Sequence, residues 1–96
     1  MHIVLWRYRA RPGREAEFEA AYRDDGVWSR FFRSDSSYLG TDLLRATDGT
    51  YLTMDRWSSA EAYEAFRAQH AARYAEIDAD CEVLTAEEAP LGTVEA

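Results

Sequence analysis

The run Tyr38-Leu39-Gly40-Thr41-Asp42-Leu43-Leu44-Arg45, then Ala46-Thr47-Asp48-Gly49, then Thr50-Tyr51-Leu52-Thr53-Met54-Asp55-Arg56-Trp57 decides the fold. Two stretches rich in aromatic and aliphatic residues flank an Asp-Gly pair, which supplies the positive φ that a tight hairpin turn needs. The spacing predicts an antiparallel hairpin with strands over 38–45 and 50–57. Toward the N-terminus, Ser34-Asp35-Ser36-Ser37 reads as a loop, and Val27, Trp28, Phe31 and Phe32 recur at helical spacing up to about Arg33. Asp24-Asp25-Gly26 separates that short helix from one starting near Arg14, which gathers Phe18, Ala21 and Tyr22 on one face. His2 to Arg9 reads as a strand and is stopped by Arg11-Pro12-Gly13. Beyond the hairpin, Ser58 and Glu61 have capping-box spacing, and Tyr63, Phe66, His70, Tyr74 and Ile77 follow on one face of a predicted helix over about Ser59–Asp78. A short strand, Glu82–Thr85, and an aperiodic tail from about residue 87 to 96 close the chain.

The order β-α-β-β-α-β specifies a ferredoxin-like α+β sandwich: one four-stranded antiparallel sheet with the helices on one face. Residues 1–96 form a single domain of this type, since 96 residues leave no room for a second. Both faces of the strands carry large apolar groups. In the first strand His2, Val4, Trp6 and Tyr8 alternate with Ile3, Leu5, Arg7 and Arg9; in the hairpin Leu52 and Met54 oppose Tyr51, Thr53 and Trp57. Helices cover one face only, so the other calls for a second copy of the chain, and a homodimer packed sheet to sheet is expected.

The charge balance narrows the partners further. All 11 cations are Arg, against 18 acidic residues, and a net charge of −7 repels nucleic-acid phosphates. No apolar run reaches the length of a membrane span, and Arg7 interrupts the apolar opening that a secretory leader would need, so a cytoplasmic protein with no membrane partner is expected. Cys81, alone, makes no internal disulfide. With no metal-ligand spacing and no Gly-rich phosphate loop, no metal, flavin or haem is expected as cofactor.

The chain resembles the antibiotic biosynthesis monooxygenase family, the dimeric α+β barrels. The likeness is carried by Val4-Leu5-Trp6-Arg7-Tyr8 with Arg11-Pro12-Gly13-Arg14-Glu15-Ala16-Glu17-Phe18, by Tyr38-Leu39-Gly40-Thr41, and by Tyr51-Leu52-Thr53-Met54-Asp55-Arg56-Trp57 leading to Ala62-Tyr63-Glu64-Ala65-Phe66. That resemblance implies the fold and the dimer, and a chemistry drawn from cofactor-free oxygenation of aromatic polyketides, quinol oxidation or haem degradation. Family members of the first kind use an Asn, with Trp, Tyr and Arg, to stabilise a substrate anion that reacts with oxygen. This chain has no Asn. The haem-degrading branch has Asn, Trp and His where this sequence has Trp6, Phe66 and Glu76, which argues against haem.

The candidate site is a helix-to-sheet pocket. Trp6, Tyr8, Trp28, Phe32 and Phe66 would sandwich a small planar aromatic, with His70 as catalytic base because its ordinary pKa lies near neutrality. Tyr8, Tyr63 or an Arg would then replace the absent Asn as the anion's hydrogen-bond donor. The same aromatic stripe is also what plain core packing looks like, and His70 suits a structural role equally well. Arg7 and Arg9 would hold a carboxylate or phenolate, or pair with acids such as Asp42 or Asp55. Glu15, Glu17 and Glu19 read as a solvated face. Three functions stay open: a cofactor-free monooxygenase of a small electron-rich aromatic of polyketide or quinol type, or a related cyclase or isomerase; a non-catalytic aromatic-binding or accessory dimer; and, least favoured, haem degradation.

Overall fold

A computed structural model describes residues 1–96. Its elements run β1 (His2–Ala10), α1 (Glu15–Tyr22), α2 (Val27–Phe32), β2 (Tyr38–Arg45), β3 (Tyr51–Trp57), α3 (Ala60–Gln69), α4 (Ala71–Cys81), a 3-10 turn (Glu82–Leu84) and β4 (Thr85–Glu95). The sheet order is β2-β3-β1-β4, antiparallel throughout. Each β-α-β crossover therefore skips one strand, as the ferredoxin-like α+β fold requires. The hairpin forms as expected: Gly49 takes φ +88°, and Asp48 Oδ1 accepts the Thr50 N–H at 3.0 Å.

Three boundaries differ from expectation, each for a visible reason. The helix predicted over 59–78 is two helices that meet at His70, where φ −113° and ψ 28° leave the helical region. The His70 N–H still bonds Phe66 O, and Tyr74 N–H bonds His70 O, so the apolar spacing runs unbroken through the bend. The cap is Ser59, whose Oγ accepts the Ala62 N–H at 3.1 Å; Ser58 instead gives its N–H to Ser37 O. The presumed tail is most of β4, which runs the length of β1, while residues 82–84 form the 3-10 turn in place of a strand. A register shift between Leu5 and Trp6 leaves Leu91 without a partner between Pro90 and Gly92, and an edge strand tolerates the missing Pro N–H.

Side chains of β1 at even positions face the helices and build two adjoining cores. One joins Tyr8 to Phe18, Tyr22, Tyr51, Ile77 and Leu84; the other joins Val4 to Phe32, Tyr38, Trp57 and Phe66. The bend at His70 lets α3 feed the second core through Phe66 and α4 the first through Ile77. Trp6 and Trp28 pack against both cores and so lie on the seam between them. The opposite sheet face carries Ile3, Leu5, Leu52 and Met54, with Leu44 47 % exposed. No helix is long and apolar enough to cross a membrane.

Candidate functional site

A cavity opens at that seam. Its floor is the helix-facing side of the sheet: Trp6 and Tyr8 from β1, Thr53 and Asp55 from β3, Thr41 from β2 and Glu88 from β4. Its roof is Tyr22, Trp28, Phe32, Tyr63, Tyr74 and Asp78 from the four helices. With the open solvent before it the cleft spans about 520 Å³, but its enclosed free space is about 40 Å³, enough for a few waters. Aromatic rings make most of the wall, with Trp28 5.0 Å from Tyr74 and 5.8 Å from Phe32 between centroids.

Of the carboxylates, Asp55 lies deepest on the floor, whereas Glu88 and Asp78 are exposed and mark the rim where floor and roof meet solvent. Strand alternation puts Asp55 on the helix side beside Thr53 and Trp57, where burial pushes its carboxyl up to about 6 against the opposing effects of Thr41's hydrogen bond and Arg56's charge. Thr41 Oγ1 donates to Asp55 Oδ1 at 2.7 Å, and the Thr41 N–H donates to Asp24 Oδ1 at 2.8 Å. Behind Thr41 the buried Tyr38 hydroxyl touches Thr41 Oγ1 and donates to Ser29 Oγ at 3.0 Å. A fixed set of hydroxyls thus orients one oxygen of the carboxylate, and no protein group bonds the other.

Around it stand neutral phenols. Burial raises the hydroxyls of Tyr8 and Tyr22, and pushes Tyr74 up to about 12 even though Arg67 opposes it. All three are hydrogen-bond donors at physiological pH. At the rim, burial and then the charges of Asp78 and Glu82 raise the Glu88 carboxyl. Nowhere in the chain do three His, Cys, Asp or Glu side chains converge as metal donors.

Of the residues expected in the pocket, Trp6, Tyr8, Trp28, Phe32 and Tyr63 line it. Phe66 does not: it is 1 % exposed, wedged among Phe31, Phe32 and Trp57. His70 does not line it either; from the α3–α4 bend it packs on Phe66 and Phe31, with ring centroids 4.6 and 6.1 Å away. Arg7 and Arg9 lie on the far face of the sheet, where Arg9 approaches Glu87 at 3.6 Å, so neither holds an anion in this cavity. Arg56 pairs with Asp42 and not Asp55. Glu19, placed on a solvated face, accepts the Tyr51 hydroxyl. Sequence reasoning missed Asp55, Thr41, Tyr22 and Tyr74. Alternation alone flags Asp55, a carboxylate on a face otherwise set by Tyr51, Thr53 and Trp57.

Residues 1–76 match the family model described as antibiotic biosynthesis monooxygenase. The chain belongs to this family. Its fold recurs in solved structures. SnoaB, a cofactor-independent oxygenase from Streptomyces nogalater, superposes in a mutant form with a TM-score of 0.73 at 21% identity, over 99% of this chain and 91% of that one. Rv0793 from Mycobacterium tuberculosis gives 0.72 at 20% identity, covering 99% and 93%. An uncharacterized NIPSNAP domain protein from Burkholderia xenovorans gives 0.72 at 14%, covering 100% and 94%. At such identities the likeness is one of fold. Among curated proteins no sequence matches this chain.

Proposed function

We propose that this family member is a cofactor-independent monooxygenase of a small electron-rich aromatic, of polyketide or quinol type, working as a homodimer, with Asp55 as its base. The observation that carries the reading is a carboxyl raised to about 6 on the floor of an aromatic-walled cavity. Family membership and the oxygenase SnoaB among its structural relatives support the class of reaction.

In the polyketide case the substrate is of anthrone type and carries an acidic ring methylene; a quinol would instead give up a hydroxyl proton to the same base. Trp6 and Trp28 hold the ring plane, and Asp55 takes one proton through its unbonded oxygen. Charge then spreads onto a ring oxygen, where the phenols of Tyr8, Tyr22 and Tyr74 donate in the place of the missing Asn. The carbanion reduces O₂ and a C–O bond forms. Loss of water leaves a carbonyl, so one oxygen atom stays in the product, the other leaves as water, and CH₂ plus O₂ becomes C=O plus H₂O. The ligand exceeds the free space, so binding moves the half-buried rings of Trp28, Tyr63 or Tyr74 outward.

Oxygen uptake with a panel of anthrones and hydroquinones tests this. Turnover should rise with pH through about 6 and fall roughly 100-fold or more in Asp55→Asn, while His70→Ala stays near wild type. Binding without uptake above the buffer rate would make the protein a ligand carrier; uptake lost in His70→Ala but kept in Asp55→Asn would return the base to His70.

A further inference from the structure

We infer that the cavity selects its ligand by charge: it admits an aromatic that is uncharged or carries a protonated amine, and discriminates against the same ring carrying a carboxylate. The inference rests on the reading of this cavity as the ligand site, and extends it to the substrate's polar substituent.

Three carboxylates line the cavity, Asp55 at the floor with Asp78 and Glu88 at the rim, and no cationic side chain lines it. The nearby cations are engaged elsewhere. Arg56 turns to Asp42 on the outer side of the sheet. Arg67 lies over the ring of Tyr74, 4.6 Å from its centroid, and donates to the Tyr63 hydroxyl at 3.4 Å, outside the wall. Asp55 has Thr41 as its one side-chain hydrogen-bond donor, Arg56 offsets its charge only from across the sheet, and Glu88 is raised partly by Asp78 and Glu82, so no cation inside the cavity balances the three carboxylates. A second carboxylate brought into the cleft meets like charge where water is scarce, and aromatic faces add their own negative quadrupole. An ammonium meets the opposite in both respects, since ring faces and carboxylates attract it. A neutral hydroxyl or carbonyl finds the phenols of Tyr8, Tyr22 and Tyr74.

Calorimetric titration of the full chain near pH 8 with naphthoic acid, naphthamide and naphthylmethylamine separates charge from shape. The amide should bind at least about tenfold more tightly than the acid, and the amine at least as well as the amide. Asp78→Asn and Glu88→Gln should each narrow the gap, added salt should narrow it too, and Arg67→Gln should leave it unchanged. Acid binding equal to or tighter than amide, or acid binding that Arg67→Gln abolishes, overturns the inference while the oxygenase reading still stands on oxygen uptake. No binding of any of the three overturns the inference as well, and oxygen uptake alone then decides the oxygenase reading.

Discussion

Asp55 shows what a buried carboxylate costs a small fold. Its pKa is about 6 in the folded chain against 3.8 unperturbed, so the native state holds the proton more tightly than the unfolded state. Stability is then greatest below the unfolded value, falls as pH rises between the two, and carries the full penalty above about 6. Asp55→Asn removes the charge yet keeps an oxygen for Thr41. Thermal melts should show the variant more stable than wild type at pH 8, by at most about 3 kcal/mol, with the gain gone near pH 4. A variant less stable at both pH values would mean that the ionised carboxylate is not under strain. The same residue explains why the site was only half legible in the sequence. His70 attracted the role of base because its ordinary pKa suits it, whereas an Asp acquires such a value only through burial, which no local stretch of sequence displays. Trp6, Tyr8, Trp28, Phe32 and Tyr63 were readable because strand alternation and helical spacing each place large rings inward.

Among the elements, those with a strong period were readable and those shaped by partners were not. The hairpin announced itself through Asp48-Gly49, and α1 and α2 through their aromatic spacing. The strand β4 hid because nearly every one of its residues is exposed and it carries Pro90 and Gly92; only the ladder with β1 makes it a strand. The bend at His70 hid because hydrogen bonds cross it without a change of spacing. Gly26 holds the joint between α1 and α2 for a reason that a sequence does not display: a Cβ there would lie 2.2 Å from Ala21 O. Its φ of −80° is ordinary, so the demand is for space alone. Gly26→Ala should push α2 away from α1, cost roughly 1–3 kcal/mol in denaturant unfolding, and weaken ligand binding, because α2 carries Trp28 and Phe32 into the cavity. Gly49→Ala strains a φ of +88° but meets nothing within 4 Å, and should lower stability while leaving binding unchanged. Equal effects of the two on binding would sink the claim that α2's position sets the cavity.

At the scale of the whole molecule, the two-sided apolar strands were visible in the alternation, but which face met the helices was not. The structure assigns Tyr51, Thr53, Asp55 and Trp57 to the helices and leaves Leu52 and Met54 outward, with Leu5 directly opposite Met54 and Leu44 opposite Leu52. An apolar strip of this kind, bordered by Arg7, Arg9 and Arg56, is a surface that a soluble chain covers. Light scattering at micromolar concentration should give twice the 11.0 kDa chain mass, and Met54→Asp, at the centre of the strip, should halve it. A single-chain mass for the wild type ends the dimer proposal. The cavity lies on the other side of the sheet and is lined within one chain; Met54 shares β3 with Thr53 and Asp55, but alternation turns its side chain to the opposite face. If the two faces are as independent as this geometry implies, the Met54→Asp monomer should still bind the amide probe with wild-type affinity. Binding lost together with the dimer would instead mean that the partner holds the sheet, and with it Asp55, in place.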